Sequence, residues 1–316
     1  EGESRSSMAK TTGLAIMELS TTFHNIKPDV VVTIADRFES IATSIAAAYQ
    51  NIPLAHIQGG EVSGNIDEKV RHANTKLADI HLVASKDAMQ RVIRMGENPD
   101  FVINTGCPSI DLAKEILNSS RLNFDPLVKY GGVGAQVSWK DGYIVVMQHP
   151  VTTEYKRSKK QIESTLNAVY ELNIPTFWFW PNVDAGSDGL SKGIRSFREK
   201  YKSLSIHFFK NMEPEDFLKI IKNSMCLIGN SSVGIRESSF LAVPVVNIGS
   251  RQNNRQRANN VIDCAYDKDE IKSAINKHLS GNHYKSSYIY GRGDSGKKIA
   301  NILANIDLTF QKTMTY

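Results

Sequence analysis

Apolar runs of four or five residues alternate with longer amphipathic stretches along most of this chain. Thr11–Asn25 reads as an amphipathic helix stopped before Pro28, and Val30–Ile34 as an apolar strand. A helix through Ala48 follows, then strand Pro53–Ile57, helix Asp67–Ala78, strand Ile80–Ala84, helix Lys86–Met95 and strand Phe101–Asn104. A second alternating series starts at Tyr143–Met147 and continues with strands near Thr176–Phe179, Ser205–Phe209, Met225–Ile228 and Val245–Ile248. Strand–helix alternation predicts α/β architecture with parallel, doubly wound sheets, whose ligands bind beyond the carboxyl ends of the strands. Two series predict two Rossmann-like lobes with a cleft between them. The boundaries are residues 1–130 for the first lobe, 140–288 for a nucleotide-binding second lobe, and 289–316 for a C-terminal helical segment. Asn123–Gly142, with Gly131, Gly132 and Gly134, has the composition of a linker.

Composition changes this picture little. The chain has 316 residues, 41% hydrophobic and 22% charged, with a net charge of +5 and both signs interspersed. That favours an anionic small molecule over nucleic acid or a membrane. Cys107, Cys226 and Cys264 are far apart, odd in number and without metal-ligand spacing, so they read as reduced core residues of a cytoplasmic protein.

The candidate chemistry lies at strand ends. In Ser224–Arg251 a strand, a Ser-Ser turn and a helix follow one another. Ser231 and Ser232, beside Gly229 and Gly234, open a helix whose free N–H groups suit a phosphate, and Glu237 lies a turn further on, within reach of a ribose. A plain capped helix would look the same. Asp36 and Arg37 end the first strand, and Gln58, Gly59, Gly60 and Glu61 follow the second, where the glycines let backbone approach a ligand. Glu61 or Asp67 can join Asp36 as a pair of carboxylates for proton transfer at carbon. Arg71, four residues after Asp67, is either its surface ion-pair partner or a substrate contact. His149 just past Met147 is a candidate acid/base or diphosphate ligand. Asn182, Asp184 and Ser187 line a rim or merely cap a helix, and the cations of Gly249–Arg257, Arg251 among them, suit a diphosphate.

The stretches HIQGGEVSGNIDEKVRHANTKLAD, TGCPSIDLA, MQHPVTTE, PNVDAGS, GNSSVGIRE and GSRQ resemble, in order and spacing, the hydrolysing UDP-N-acetylglucosamine 2-epimerases, along essentially the whole chain. The resemblance implies a two-lobed, glycosyltransferase-B-like fold with the C-terminal helix crossing back to the first lobe. It implies loss of UDP across C1–C2 through a 2-acetamidoglucal, then hydration to the free manno sugar, with no metal or redox cofactor. It also implies a homodimer or homotetramer. By the same resemblance Asp36 and Asp67 are acid/base carboxylates, His149 a cleft histidine, Ser231 and Ser232 diphosphate ligands, and Glu237 the ribose ligand. Arg37, Asn182, Asp184 and Arg251 fall at further cleft positions.

The chain departs from the pattern twice. Gln58 stands where several relatives carry a glutamate; it cannot be a base, and it weakly favours a 2,4-diacetamido-6-deoxy substrate. The opening strand and GTR-type loop of such proteins have no counterpart, so the first lobe is expected to lack its N-terminal strands. The alternatives are a non-hydrolysing 2-epimerase, a glycosyltransferase of the same fold, and a non-catalytic nucleotide-sugar-binding protein.

Overall fold

The computed structural model describes residues 5–63, 66–118, 121–151, 153–181, 186–201, 204–281, 283–308 and 311–315. The chain divides into two compact units, one made of residues 1–111 with 289–316 and the other of residues 112–288.

The first unit opens with α1 (Arg5–Ile26), followed by β1 (Val31–Ile34), α2 (Ser40–Tyr49), β2 (Leu54–Ile57), α3 (Ile66–Leu77), β3 (Ile80–Val83), α4 (Lys86–Arg94), β4 (Val102–Asn104) and α5 (Ser109–Asn118), which runs on into the second unit. Its four strands pair in sequence order, all parallel. β2 and β3 are buried on both faces, as central parallel strands are, with His56 and His81 buried among their apolar residues. β1 is equally apolar but lies at an edge, and its Val32 and Ile34 are 43% and 50% exposed.

The second unit contains α6 (Pro126–Tyr130), β5 (Val133–Gly134), β6 (Ile144–Met147), α7 (Ser158–Leu172), β7 (Thr176–Phe179), α8 (Ser187–Lys200), β8 (Ile206–Phe209), α9 (Pro214–Asn223), β9 (Cys226–Gly229), α10 (Ser232–Ile235), α11 (Glu237–Phe240), β10 (Val245–Ile248), β11 (Val261–Cys264) and α12 (Lys268–Leu279). Its strand order is β11-β10-β9-β6-β7-β8-β5, parallel throughout except for the antiparallel β5. Trp178, Phe208, Ile144 and Ile228 fill the core under α7, α8 and α12. The stretch read as a linker is therefore ordered. Asp125 caps α6, and β5 closes one edge of the sheet. Its glycines serve close approach: a Cβ on Gly132 would lie 2.4 Å from the Phe208 carbonyl, and one on Gly134 2.5 Å from that of Ile206.

After Tyr288 the chain rejoins the first unit. There α13 (Ser295–Asn305) lays Ile299, Ile302 and Leu303 over Ala55, Ile57, Ile80 and Leu82. Asp111 anchors its start by accepting from the backbone N–H groups of Ser295 (2.9 Å) and Gly296 (2.6 Å). Lys312 anchors the tail at Glu97 (2.6 Å). Among the described residues no helix is long and apolar enough to cross a membrane.

Candidate active-site residues in each unit

The parallel strands of the first unit bring their carboxyl ends to one edge. Two residues there carry positive φ without being glycine: Ala35 (φ 60°), just before Asp36, and Gln58 (φ 66°). Both keep their place in the ladder, Ala35 N–H donating to Ile57 and Gln58 N–H to Leu82. Left-handed backbone at two neighbouring strand ends costs about 1 kcal/mol or more per residue, and such strain concentrates at functional sites.

Arg71 on α3 organises this edge. It is 1% exposed, and it donates to the Asp36 carboxylate, to the Glu61 carbonyl (2.7 Å) and to Ser63 Oγ (3.0 Å). A solvated ion pair with Asp67 does not describe this residue, which is buried and ties the end of β1 to the loop after β2. Asp67 sits in the first turn of α3, half-buried, and Glu61 is buried. Gln58 donates to Cys107 Sγ (2.9 Å), and Cys107 is itself held by its N–H to the Tyr290 carbonyl (2.8 Å). Arg37 is exposed and pairs with Glu39 at 2.7 Å.

The glycine pair after Gln58 serves packing more than ligand approach. A Cβ on Gly60 would lie 2.3 Å from the Ala88 carbonyl, and one on Gly59 3.0 Å from both His56 Nδ1 and Thr75 Oγ1. His56 sits between Thr75 Oγ1 (3.2 Å) and the Ala35 carbonyl (3.1 Å). Burial lowers its pKa to about 4, so the ring is neutral: Nε2–H donates to Ala35 and Nδ1 accepts from Thr75.

In the second unit, the neighbouring strands β10, β9 and β6 bring three loops together at their carboxyl ends. Asn230 is the hub. Its Oδ1 accepts from the His149 N–H (2.7 Å) and its Nδ2 donates to the His149 carbonyl (2.9 Å). Its own carbonyl accepts from Arg251 Nη1 (3.2 Å) and Gln252 Nε2 (2.9 Å). Gly229, φ 136°, makes this approach possible, because a Cβ there would lie 2.1 Å from the Met147 carbonyl. Asn230 was not among the site residues read from the sequence; the signal was the Asn in GNSS, directly after a strand-ending glycine. Burial, helped by the Arg251 charge, lowers His149 to about 3. His149 is therefore a neutral imidazole, a hydrogen-bonding group and not an imidazolium acid.

Ser231 caps α10, its Oγ accepting from the Val233 N–H, and Ser232 Oγ accepts from Arg236 (3.0 Å). The single helix expected here breaks at Arg236 (φ −99°, ψ −74°) into two four-residue turns. Gly234 packs under β10, where a Cβ would meet Val245 Cγ1 at 2.9 Å. Glu237 opens α11, buried, with Arg236 Nε 3.8 Å away and with Oε2 accepting no hydrogen bond. Of the cations after Gly249, Arg257 is committed to Asp263 (2.7 Å), so it is not available to a diphosphate as expected. Ser187 is buried at the first position of α8. Asn182 and Asp184 lie outside the described residues.

These features define a class: two doubly wound α/β units, one with a buried guanidinium–carboxylate pair at its strand ends, the other with a Ser-capped turn and a buried glutamate. The profile of the UDP-N-acetylglucosamine 2-epimerase family matches residues 1–304, and the chain belongs to that family. It is 34% identical to the UDP-N,N'-diacetylbacillosamine 2-epimerase (hydrolyzing) of Legionella pneumophila, over 97% of this chain and 78% of that protein. It is 30% identical to the GDP/UDP-N,N'-diacetylbacillosamine 2-epimerase (hydrolyzing) of Campylobacter jejuni, over 81% and 65%. The fold is that of a crystal structure of Methanocaldococcus jannaschii UDP-GlcNAc 2-epimerase in complex with UDP-GlcNAc and UDP. That match has a TM-score of 0.79 at 20% identity and covers 94% of this chain and 81% of that one.

Proposed function

We propose that this chain is a hydrolysing nucleotide-sugar 2-epimerase. Its substrate is UDP-N-acetylglucosamine or the 2,4-diacetamido-2,4,6-trideoxy analogue, and its products are UDP and the free manno sugar. A carboxylate takes the C2 proton, the C–H electron pair forms the C1=C2 bond, and the C1–O bond breaks toward the diphosphate. Water then adds, its oxygen to C1, with a proton delivered to C2 from the opposite face. Inversion at C2 thus needs two groups, and Asp36 and Asp67 are the residues we assign. Gln58 cannot titrate, so its place is to hydrogen-bond the sugar; Glu61 is a further carboxylate of the same loop.

In the second unit, Ser231, Ser232 and Arg251 suit the diphosphate, Glu237 the ribose hydroxyls, and neutral His149 a hydrogen bond that stabilises developing charge. We assign Arg37, Asn182 and Asp184 to substrate binding on the resemblance, and Ser187 and Gly234 on their places after β7 and beside the Ser-Ser turn. The observation that carries the reading is Asp36, a carboxylate at a strained strand end against a buried guanidinium. Glu237 supports it, since a buried carboxylate oxygen without a donor is a cost that a ribose diol would relieve.

The test is incubation with each of the two UDP-sugars in D2O, followed by NMR. Free manno sugar with deuterium at C2 and stoichiometric UDP is the expected result, and the faster substrate names the sugar. Deuterium at C2 with UDP still attached would make the enzyme non-hydrolysing. Binding without exchange or UDP release would leave a nucleotide-sugar-binding protein.

A further inference from the structure

Arg71 is an expensive residue to place where it stands. Burying a guanidinium is unfavourable unless its N–H groups and its charge are answered, and here it donates to three acceptors at one edge of the first unit. Those acceptors belong to two different segments, Asp36 after β1 and the Glu61–Ser63 loop after β2. Ser63 is also held from the other side, its N–H donating to Glu68 Oε2 (3.2 Å). The guanidinium thus fixes the position of the Asp36 carboxylate relative to the loop that leads to Asp67. It also faces that carboxylate with a charge that does not titrate in the working range, which favours the anion over the acid. His56, on the neighbouring strand, adds no charge there because burial keeps its ring neutral.

We propose that Arg71 is a positioning residue that commits Asp36 to accepting the C2 proton, so that the proton returned on the opposite face comes from a different group, Asp67. This rests on the 2-epimerase reading above. It assigns unequal roles to two carboxylates that the sequence leaves interchangeable: Asp36 enters each turnover as the anion, and Asp67 is the group whose protonation has to be restored. An arginine buried to carry charge alone would tolerate lysine. One that ties two segments through a planar fork would not, because an ammonium cannot reach a carboxylate, a carbonyl and a hydroxyl in the same plane.

The experiment compares wild type, Arg71→Lys and Arg71→Met. The Asp36 carboxyl is titrated by 13C NMR in the free protein, and UDP release is measured as kcat and KM across pH, with circular dichroism as the check on folding. For Arg71→Met we expect the Asp36 titration to move up by at least about one pH unit, the acid limb of kcat/KM to move with it, and kcat to fall by about 10²-fold or more with little change in KM. Arg71→Lys should keep a cation beside Asp36 yet lose most of kcat. An unmoved Asp36 titration in folded Arg71→Met would overturn the proposal, as would full activity in Arg71→Lys. Should Arg71→Met fail to fold, the lysine variant still decides. The Asp36 titration needs no turnover, so a wild type that releases no UDP would sink the 2-epimerase reading while leaving the Arg71–Asp36 coupling to be judged separately.

Discussion

Lowering the pH from 7 to 5 should remove stability from both units through histidines that are buried in the neutral form. His149 in the second unit has a folded pKa of about 3 and His56 in the first of about 4, against 6.5 for an exposed ring. Below pH 6.5 the unfolded chain takes up a proton at each position that the folded unit refuses, so stability falls as pH falls. pH 5 is about 1.5 units below the unfolded pKa of 6.5 and still above both folded values, a loss of about 2 kcal/mol per histidine at about 1.4 kcal/mol per unit. Burial lowers His81 and His278 in the same direction, so about 2 kcal/mol per unit is a lower bound. All three tryptophans, Trp139, Trp178 and Trp180, lie in the second unit, so their fluorescence in urea melts isolates the His149 effect from that of His56. The measurement is the urea midpoint and slope at pH 7, 6 and 5 for wild type and His149→Gln. The tryptophan-reported stability of wild type should drop by about 2 kcal/mol more than that of the variant. Equal losses in the two proteins would refute the argument, because the ring would then be free to protonate in the folded state.

Three further outcomes concern Glu97, Gly229 and Asn230. Burial alone would raise the Glu97 carboxyl, but hydrogen bonds from His81, Lys312 and Lys76 outweigh it and hold the pKa at about 2. Its contribution is therefore present above about pH 4.5 and is lost as pH falls through 2, and Glu97→Gln should cost about 3 kcal/mol at pH 7 in urea melts followed by circular dichroism. Gly229→Ala forces a Cβ against the Met147 carbonyl at a φ of 136°. It should lower second-unit stability by about 3 kcal/mol or prevent soluble expression. Asn230→Ala removes both clamps on the His149 backbone, and should cost about 2 kcal/mol by tryptophan fluorescence.

Nine of the eleven strands among the described residues were legible as short, mostly apolar runs, and their observed limits shift by only a residue or two; β5 and β11, the two edge strands of the second sheet, were not read from the sequence. What escaped sequence reading depends on distant partners. The glycines of residues 131–134 look like linker composition because nothing local reveals that the Phe208 and Ile206 carbonyls press against them. Arg71 looks like a surface partner of Asp67 because helical spacing is visible and the fold is not; its carboxylate partner is 35 residues away. α1 begins earlier than expected, at Arg5, since residues 5–10 carry little apolar periodicity to announce a helix. The motif residues Asp36, Gln58, His149, Ser231 and Glu237 all stand at strand ends or in the turns that follow them. The break at Arg236 could not be foreseen from a sequence without Pro or Gly at that position.

Residues 289–315 belong to the first unit although the whole second unit intervenes. During synthesis, then, the sheet surface of Ala55, Ile57, Ile80 and Leu82 must wait for Ile299, Ile302 and Leu303 to emerge some 200 residues later, while the contiguous second unit can already close. The usual order, in which the part made first folds first, is reversed here. A released chain ending before Ser295 should show a protease-resistant second unit and a first unit still open to cleavage.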